Sequence, residues 1–168
     1  MAPGNNAPAT SAEEALVIER VFDAPRDLVW KAWSEPELFM RWYGPNGFTT
    51  PVCEIDFRVG GAWLNCMRSP DGQEFWSTGV YREIVAMERI VTTMERSDAD
   101  GNVVPATHDG MGADVPIEML MTVTFEEQAG KTKMTLRHQG LPAGEMREGA
   151  GQGWNQAFDK LGKSLAQA

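Results

Sequence analysis

The order of residue patterns predicts an α+β domain: an antiparallel sheet carrying one long helix on its face. Three observations lead there. Between Thr50 and Gly140, about six runs of strand-forming residues alternate with turn signals. Ahead of them, a first strand-like run gives way at once to helical spacing. At the C-terminal end, Trp154, Phe158, Leu161 and Leu165 recur at i, i+4, i+7 and i+11 as one apolar helical stripe.

Taken in chain order, "ALVIERVF" (15–22) is rich in β-formers and reads as the first strand. "DAPRDLVWKAW" then changes period. Asp23 can cap, Pro25 suits a first helical turn, and Leu28, Val29, Ala32 and Trp33 fall at helical spacing. "SEPELFMRWYG" repeats the formula, with Ser34 as N-cap, Glu37 as the acid of a capping box and Gly44-Pro45 as the stop.

"TPVCEIDFRV", "AWLNCMRS", "EFWSTGVYREIVAM" and "RIVTTMER" are the next strands, parted by Gly60-Gly61, by "SPDGQ" and by Met87-Glu88. "PIEMLMTVTFEE" and "TKMTLRHQG" form a last hairpin around Ala129-Gly130. Met119, Met121, Val123 and Phe125 share one face of it, against Thr122, Thr124 and Glu126 on the other. The loop at 97–116 has no period and reads as a lid or as disorder. In the terminal helix Asn155, Asp159 and Lys163 face away from the stripe.

With 168 residues, 42% hydrophobic and 23% charged, the chain fits one domain that needs no staples. It is read as a flexible tail, 1–14, and a single domain, 15–168. The net charge of −9, with no basic run, argues against nucleic acid or an anionic membrane as partner. Cys53 and Cys66 form no CxxC pair, and neither a secretory h-region nor a long apolar run is present. A reducing, cytoplasmic location is therefore expected. No nucleotide, zinc or serine-hydrolase fingerprint occurs, so no cofactor is expected. His108, Asp109 and Asp114 lie close together in "THDGMGAD", but their spacing matches no standard metal site, and no metal is assigned.

The pieces "FDAPRDLVWKAWSEPELFMRWYGP", "DFRVGGAW", "GVYREI", "VTFEEQAGKTKMTL" and "GWNQAFDKLGKSL" follow one another over roughly residues 15–166. In wording and order the chain resembles the START/Bet v 1-like (SRPBCC) superfamily. The branch is that of the C-terminal domain of the activator of Hsp90 ATPase. The resemblance implies a helix-grip fold, in which a curved antiparallel sheet of about seven strands wraps the long C-terminal helix. It further implies two short helices closing one end, and a cavity between sheet and helix. In that frame Trp33 is core, Trp42 and Tyr43 reach the cavity mouth, and Trp30 is left open between the two roles.

If the face carrying Val123 and Phe125 is the concave one, alternation adds Met119, Met121, Met134, Leu136 and His138 to it. Trp63, Asn65 and Met67 follow from the third strand; Phe75, Ser77, Gly79 and Tyr81 from the fourth. The helix supplies Met146, Trp154 and Phe158. Ten methionines suit either an irregular core or an adaptable pocket, and the sequence leaves both open. Asp56, Arg58 and Glu83 are read as an internal carboxylate–arginine group.

The expected function is binding of a small hydrophobic or aromatic molecule in this cavity. The alternative is a polyketide cyclase-like enzyme, of cyclase or lyase type, using His138, Tyr81 and Glu83 as acid–base groups. A co-chaperone contacting Hsp90 comes last, because the separate N-terminal domain of full-length activators is not present. An exposed sheet edge would allow a homodimer.

Overall fold

The computed structural model describes residues 15–105 and 116–167. The expected tail, 1–14, lies outside them, as does the part of the 97–116 loop that holds His108, Asp109 and Asp114. The described chain forms the helix-grip arrangement expected above. Seven antiparallel strands are β1 (Leu16–Phe22), β2 (Thr49–Ile55), β3 (Ala62–Arg68), β4 (Glu74–Val85), β5 (Arg89–Ser97), β6 (Met119–Gln128) and β7 (Lys131–Gln139). Three helices, α1 (Arg26–Ser34), α2 (Pro36–Phe39) and α3 (Glu145–Ala166), complete it.

The sheet runs β1-β7-β6-β5-β4-β3-β2, so strands consecutive in sequence, β1 and β2, lie at opposite edges. The segment between them must travel from one edge to the other, and α1 and α2 are built into it. From β2 to β7, by contrast, each strand pairs with the next in sequence. The tightest of these joins is Ala129-Gly130, both at positive φ (53° and 85°), a two-residue turn whose twist suits a hairpin. It sets the register in which Phe125 faces Met134, Val123 faces Leu136 and Met121 faces His138. All six are buried.

α3 lies on that concave face. Trp154, Phe158 and Leu161 are buried along it, while Asn155, Asp159 and Lys163 stay exposed. On the rim, Arg20 of β1 donates to the Asp159 carboxylate at 2.7 Å.

Between α1, α2 and α3 the aromatics form a continuous plug. The Trp33 ring lies 4.9 Å from Trp42 and 6.2 Å from both Phe39 and Trp154. Its indole N–H donates to the Met134 sulfur at 3.2 Å. Trp30 points the other way and meets Phe57 and Phe125 edge-on, at 5.6 and 5.3 Å, so it too is core. A nine-residue helix buries two neighbouring tryptophans because it is gripped on both sides. Such edge-on ring pairs add about 0.5–1.5 kcal/mol each beyond the area they bury.

Four local expectations are corrected. Ser34 does not cap α2; it is the last residue of α1, and its hydroxyl donates back to the Trp30 carbonyl at 3.1 Å. Glu35 takes the cap position, with no side-chain bond, so no capping box forms. Second, β2 stops at Ile55, because Asp56 turns: the Arg58 and Gly61 amides donate to the Asp56 and Arg58 carbonyls. Third, Asp56 and Arg58 do pair, at 3.0 Å, but half or more of each side chain is exposed, so the pair is not internal. Fourth, Ser97–Pro105 is patterned after all. Val103 bridges Ser97, and the Asp98 carboxylate accepts the Asp100 and Asn102 amides in a tight return.

At the heart of the sheet, Gly79 allows the Trp63 ring to lie across β4. A β-carbon there would come within 2.6 Å of the indole and 2.1 Å of the Thr93 carbonyl. The ring is held in place by its N–H, which donates to the Thr92 hydroxyl at 2.7 Å. Gly79→Ala is expected to cost about 1–3 kcal/mol by overpacking, read as a lower urea midpoint with unchanged slope.

Candidate functional site

The concave face is filled at one end and hollow at the other. Beneath α1 and α2 the side chains close up and leave a void of about 30 Å³, lined by Tyr43, Cys53, Trp63, Asn65, Tyr81 and Met121 among others. That is room for a water or two at most. Beneath the first half of α3 lies a cavity of about 320 Å³. Tyr43 is the wall between them and lines both.

The larger cavity exists because of what α3 lacks. Its inner face over the first four turns carries Met146, Gly149, Ala150, Gly153 and Ala157, with Trp154 at the deep side. These follow helical spacing, so they form one stripe, but the stripe is of small residues. A β-carbon built on Gly149 meets nothing within 4 Å, and one on Gly153 meets only Pro45, at 3.4 Å. Glycine inside a helix costs roughly 0.8–1 kcal/mol relative to alanine, so this stretch forgoes helix stability where it forms the hollow. The sheet supplies the floor: Met67 from β3, Met94 and Arg96 from β5, Met119 from β6 and His138 from β7.

Gly44 and Pro45 close the near side. They are held against α3 by three hydrogen bonds. The Lys160 ammonium donates to the Pro45 and Phe48 carbonyls at 3.1 and 3.4 Å, and the Asn46 amide donates to Gln156 at 2.9 Å.

His138 is the most unusual polar group here. Its ring is buried, and its Nδ1 accepts the Trp154 indole N–H at 3.1 Å. That acceptor role places the proton of the neutral ring on Nε2, which has no hydrogen-bond partner among the described residues. Burial, with the Arg96 charge adding to it, pushes the imidazole pKa down to about 4. Tyr43 is held neutral as well, its phenol pushed up to about 12 by burial.

Apart from Phe75, the ligand-lining residues nominated from the sequence divide into three groups. Tyr43, Met67, Met119, His138 and Trp154 line the large cavity, as does Met146. Trp63, Asn65, Tyr81 and Met121 surround the small void. Trp42, Ser77, Met134 and Phe158 are fully buried core away from both cavities. Trp42 donates its indole N–H to the Ala32 carbonyl at 3.0 Å. Phe75 packs on Phe48, 6.2 Å between rings, and lines neither cavity. The two readings of methionine are both realised: Met134 fills core against Trp33, and Met67, Met94, Met119 and Met146 line the cavity.

Glu83 is the clear correction. Period-two counting from Tyr81 places it inside, but a bulge between Tyr81 and Glu83 sets two residues of β4 against one of β5. Glu83 is thereby turned to solvent, where it pairs with Arg89 at 3.0 Å. The three acid–base candidates therefore do not converge: His138 is in the large cavity, Tyr81 at the small void and Glu83 outside.

Arg96, Met94 and the small residues of α3 were not nominated. A signal for Arg96 existed, since Ile90, Thr92, Met94 and Arg96 alternate along β5 as surely as the methionines do along β6. A metal-ligand cluster is absent among the described residues. No helix among them is long and apolar enough to cross a membrane.

A family model described as activator of Hsp90 ATPase homolog 1-like protein matches residues 23–166. Among solved structures, a protein from Nitrosomonas europaea is 27% identical, with 93% of this chain and 96% of that one covered and a TM-score of 0.74. A protein from Chromobacterium violaceum is 26% identical over 91% and 97% of the two chains, also at 0.74. A Silicibacter pomeroyi protein described by the same family name is 22% identical over 91% and 98%, at 0.72, a likeness of fold. No curated protein matches the chain.

The depressed pKa of His138 makes stability depend on pH with a definite sign. Between pH 6.5 and about 4 the unfolded chain takes up a proton that the folded one refuses. Stability is thus flat in this group above pH 6.5 and falls as pH drops to 4, by about 3 kcal/mol for a shift of this size. Urea titrations at pH 7 and pH 4 should show wild type losing about 2–3 kcal/mol more than His138→Gln, which does not titrate but can still accept from Trp154. Equal losses would mean that the ring is protonated in place.

Proposed function

The chain belongs to the activator of Hsp90 ATPase homolog 1-like family, and we propose that it binds a small apolar molecule beneath the first half of α3. One observation supports this above all. The hollow of about 320 Å³ has walls of methionine, tryptophan, leucine and glycine, with few polar groups among them. That is the composition and lower size range of a small-molecule site. Methionine walls adapt to guests of varied shape, and about ten waters' worth of liquid volume suits a guest of about a dozen aliphatic or about seventeen aromatic heavy atoms.

Cyclase-like chemistry has less support. An acid–base mechanism needs two groups within reach of one substrate, and Tyr81 and Glu83 are placed elsewhere. His138 alone, neutral and without an acidic neighbour in any described hydrogen bond, is better suited to orienting a guest than to moving its protons.

Titration with the neutral fluorophore N-phenyl-1-naphthylamine tests the reading. Wild type should take up one equivalent saturably and quench Trp154. Gly149→Leu and Ala157→Leu, which fill the hollow from the helix side, should weaken uptake at least tenfold while keeping the far-ultraviolet spectrum of the fold. Absence of saturable uptake by wild type, or full uptake by both filled variants, would remove the cavity from the account.

A further inference from the structure

We propose that Tyr43 sets the specificity of this cavity, its hydroxyl pairing with an uncharged oxygen of the guest, a carbonyl or a hydroxyl; the inference rests on the apolar-ligand reading above. Five side chains with nitrogen or oxygen atoms line the hollow: Tyr43, Arg96, His138, Glu145 and Trp154. Four of them are committed elsewhere. The Trp154 indole N–H is given to His138 Nδ1, and that bond uses the ring's acceptor. His138 Nε2 is enclosed by packing, with almost no surface to offer, so His138 acts on a guest through Trp154, whose ring it holds. Arg96 is already engaged by another group. Glu145 is exposed in the first turn of α3, where a carboxylate suits the helix's own N-terminal dipole, so it belongs to the mouth.

Tyr43 is left, and its ring is held firmly. It stacks on Phe39 with 4.6 Å between centroids, meets Trp154 edge-on at 5.8 Å, and its backbone carbonyl accepts the Thr50 hydroxyl at 2.8 Å. The phenol oxygen is different. Burial, then the Arg96 charge and the Cys53 thiol, govern its acidity, and no hydrogen bond among the described residues contributes. Arg96 lines the large cavity and Cys53 the small void, which puts the hydroxyl at the boundary of the two. Nor is it sealed in as His138 Nε2 is. Phenylalanine would pack the same ring, so packing does not account for the oxygen. A buried hydroxyl without a partner is unfavourable, and a guest with a matching atom relieves that cost.

The partner is uncharged because the open polar group is. Burial pushes the phenol up to about 12, so at pH 7 it is a neutral donor and acceptor. An ionised guest would give up its hydration for one neutral hydrogen bond, which does not repay the loss. A neutral oxygen is far cheaper to desolvate. The phenol matches it either way, donating to a carbonyl or accepting from a hydroxyl.

Three naphthalenes of like size and shape test this: 2-acetylnaphthalene with a carbonyl, 1-(2-naphthyl)ethanol with a hydroxyl, and 2-isopropylnaphthalene with no oxygen. Their affinities at pH 7, by displacement of N-phenyl-1-naphthylamine, would be compared in wild type and Tyr43→Phe. The substitution is expected to weaken the ketone and the alcohol about three- to tenfold, the usual worth of one neutral hydrogen bond. The hydrocarbon should change less than twofold. Loss confined to one oxygen probe supports the proposal and assigns the hydroxyl as donor or as acceptor. Equal loss for all three would make Tyr43 a packing residue, and no loss for any would leave its hydroxyl to water; either overturns the proposal. In wild type, 2-naphthoate, ionised at pH 7, should bind at least tenfold more weakly than the ketone, and equal or tighter binding would overturn the uncharged assignment. The urea midpoint of Tyr43→Phe should match wild type, whereas a marked fall would reveal a partner within the protein and refute the proposal. If none of the probes displaces bound fluorophore, the proposal falls and the cavity stands. If the fluorophore itself fails to bind wild type, the cavity reading falls with it.

Discussion

The plug centred on Trp33 is the constraint on which the rest of the molecule depends. Because β1 and β2 stand at opposite edges, the chain between them must bridge the open side of the sheet, and it needs something to hold there. Trp33 supplies the anchor, touching Phe39 and Trp42 from its own segment, Trp154 and Phe158 from α3, and the Met134 sulfur from β7. One side chain thereby joins the bridging segment, the helix and the sheet. With that corner packed solid, α3 cannot settle lower at its other end, and the small residues of its first turns leave a gap instead of a contact.

Much of this was legible in the sequence wherever a single period governs. Strict alternation along β6 and β7 is enough to put Met119, Met121, Met134 and His138 on one face, since a register slip would send the whole set to solvent. The stripe of Trp154, Phe158 and Leu161 is equally plain. What could not be read depends on breaks in a period or on the space between elements. A bulge carries no residue signature in "GVYREI", and it alone reverses Glu83. Ser34 has the right chemistry for a cap, yet the chain keeps it in the preceding helix.

The cavity was harder still, because an attractive face announces itself and a missing one does not. Large residues at helical spacing are read as a packing surface; Gly149, Ala150, Gly153 and Ala157 at the same spacing look like a poor helix. Only the position of the sheet opposite shows that these omissions line up with Met67, Met94 and Met119. Trp42 shows the converse error. It is large, aromatic and next to the loop, yet it is consumed entirely by the plug and by its bond to the Ala32 carbonyl.

Solid and hollow ends share a single rod. Phe158 and Leu161 at one end of α3 are fixed by dense surroundings, so substitutions there endanger folding. The turns from Met146 to Gly153 touch little, and the loop at Pro45 is tied to the helix through Lys160 and Gln156, both farther along. The lining of the hollow can therefore be rewritten residue by residue without disturbing the anchor. Divergence among proteins built this way has a natural place to occur: in the first turns of the last helix, where a new guest can be accommodated and the fold is indifferent.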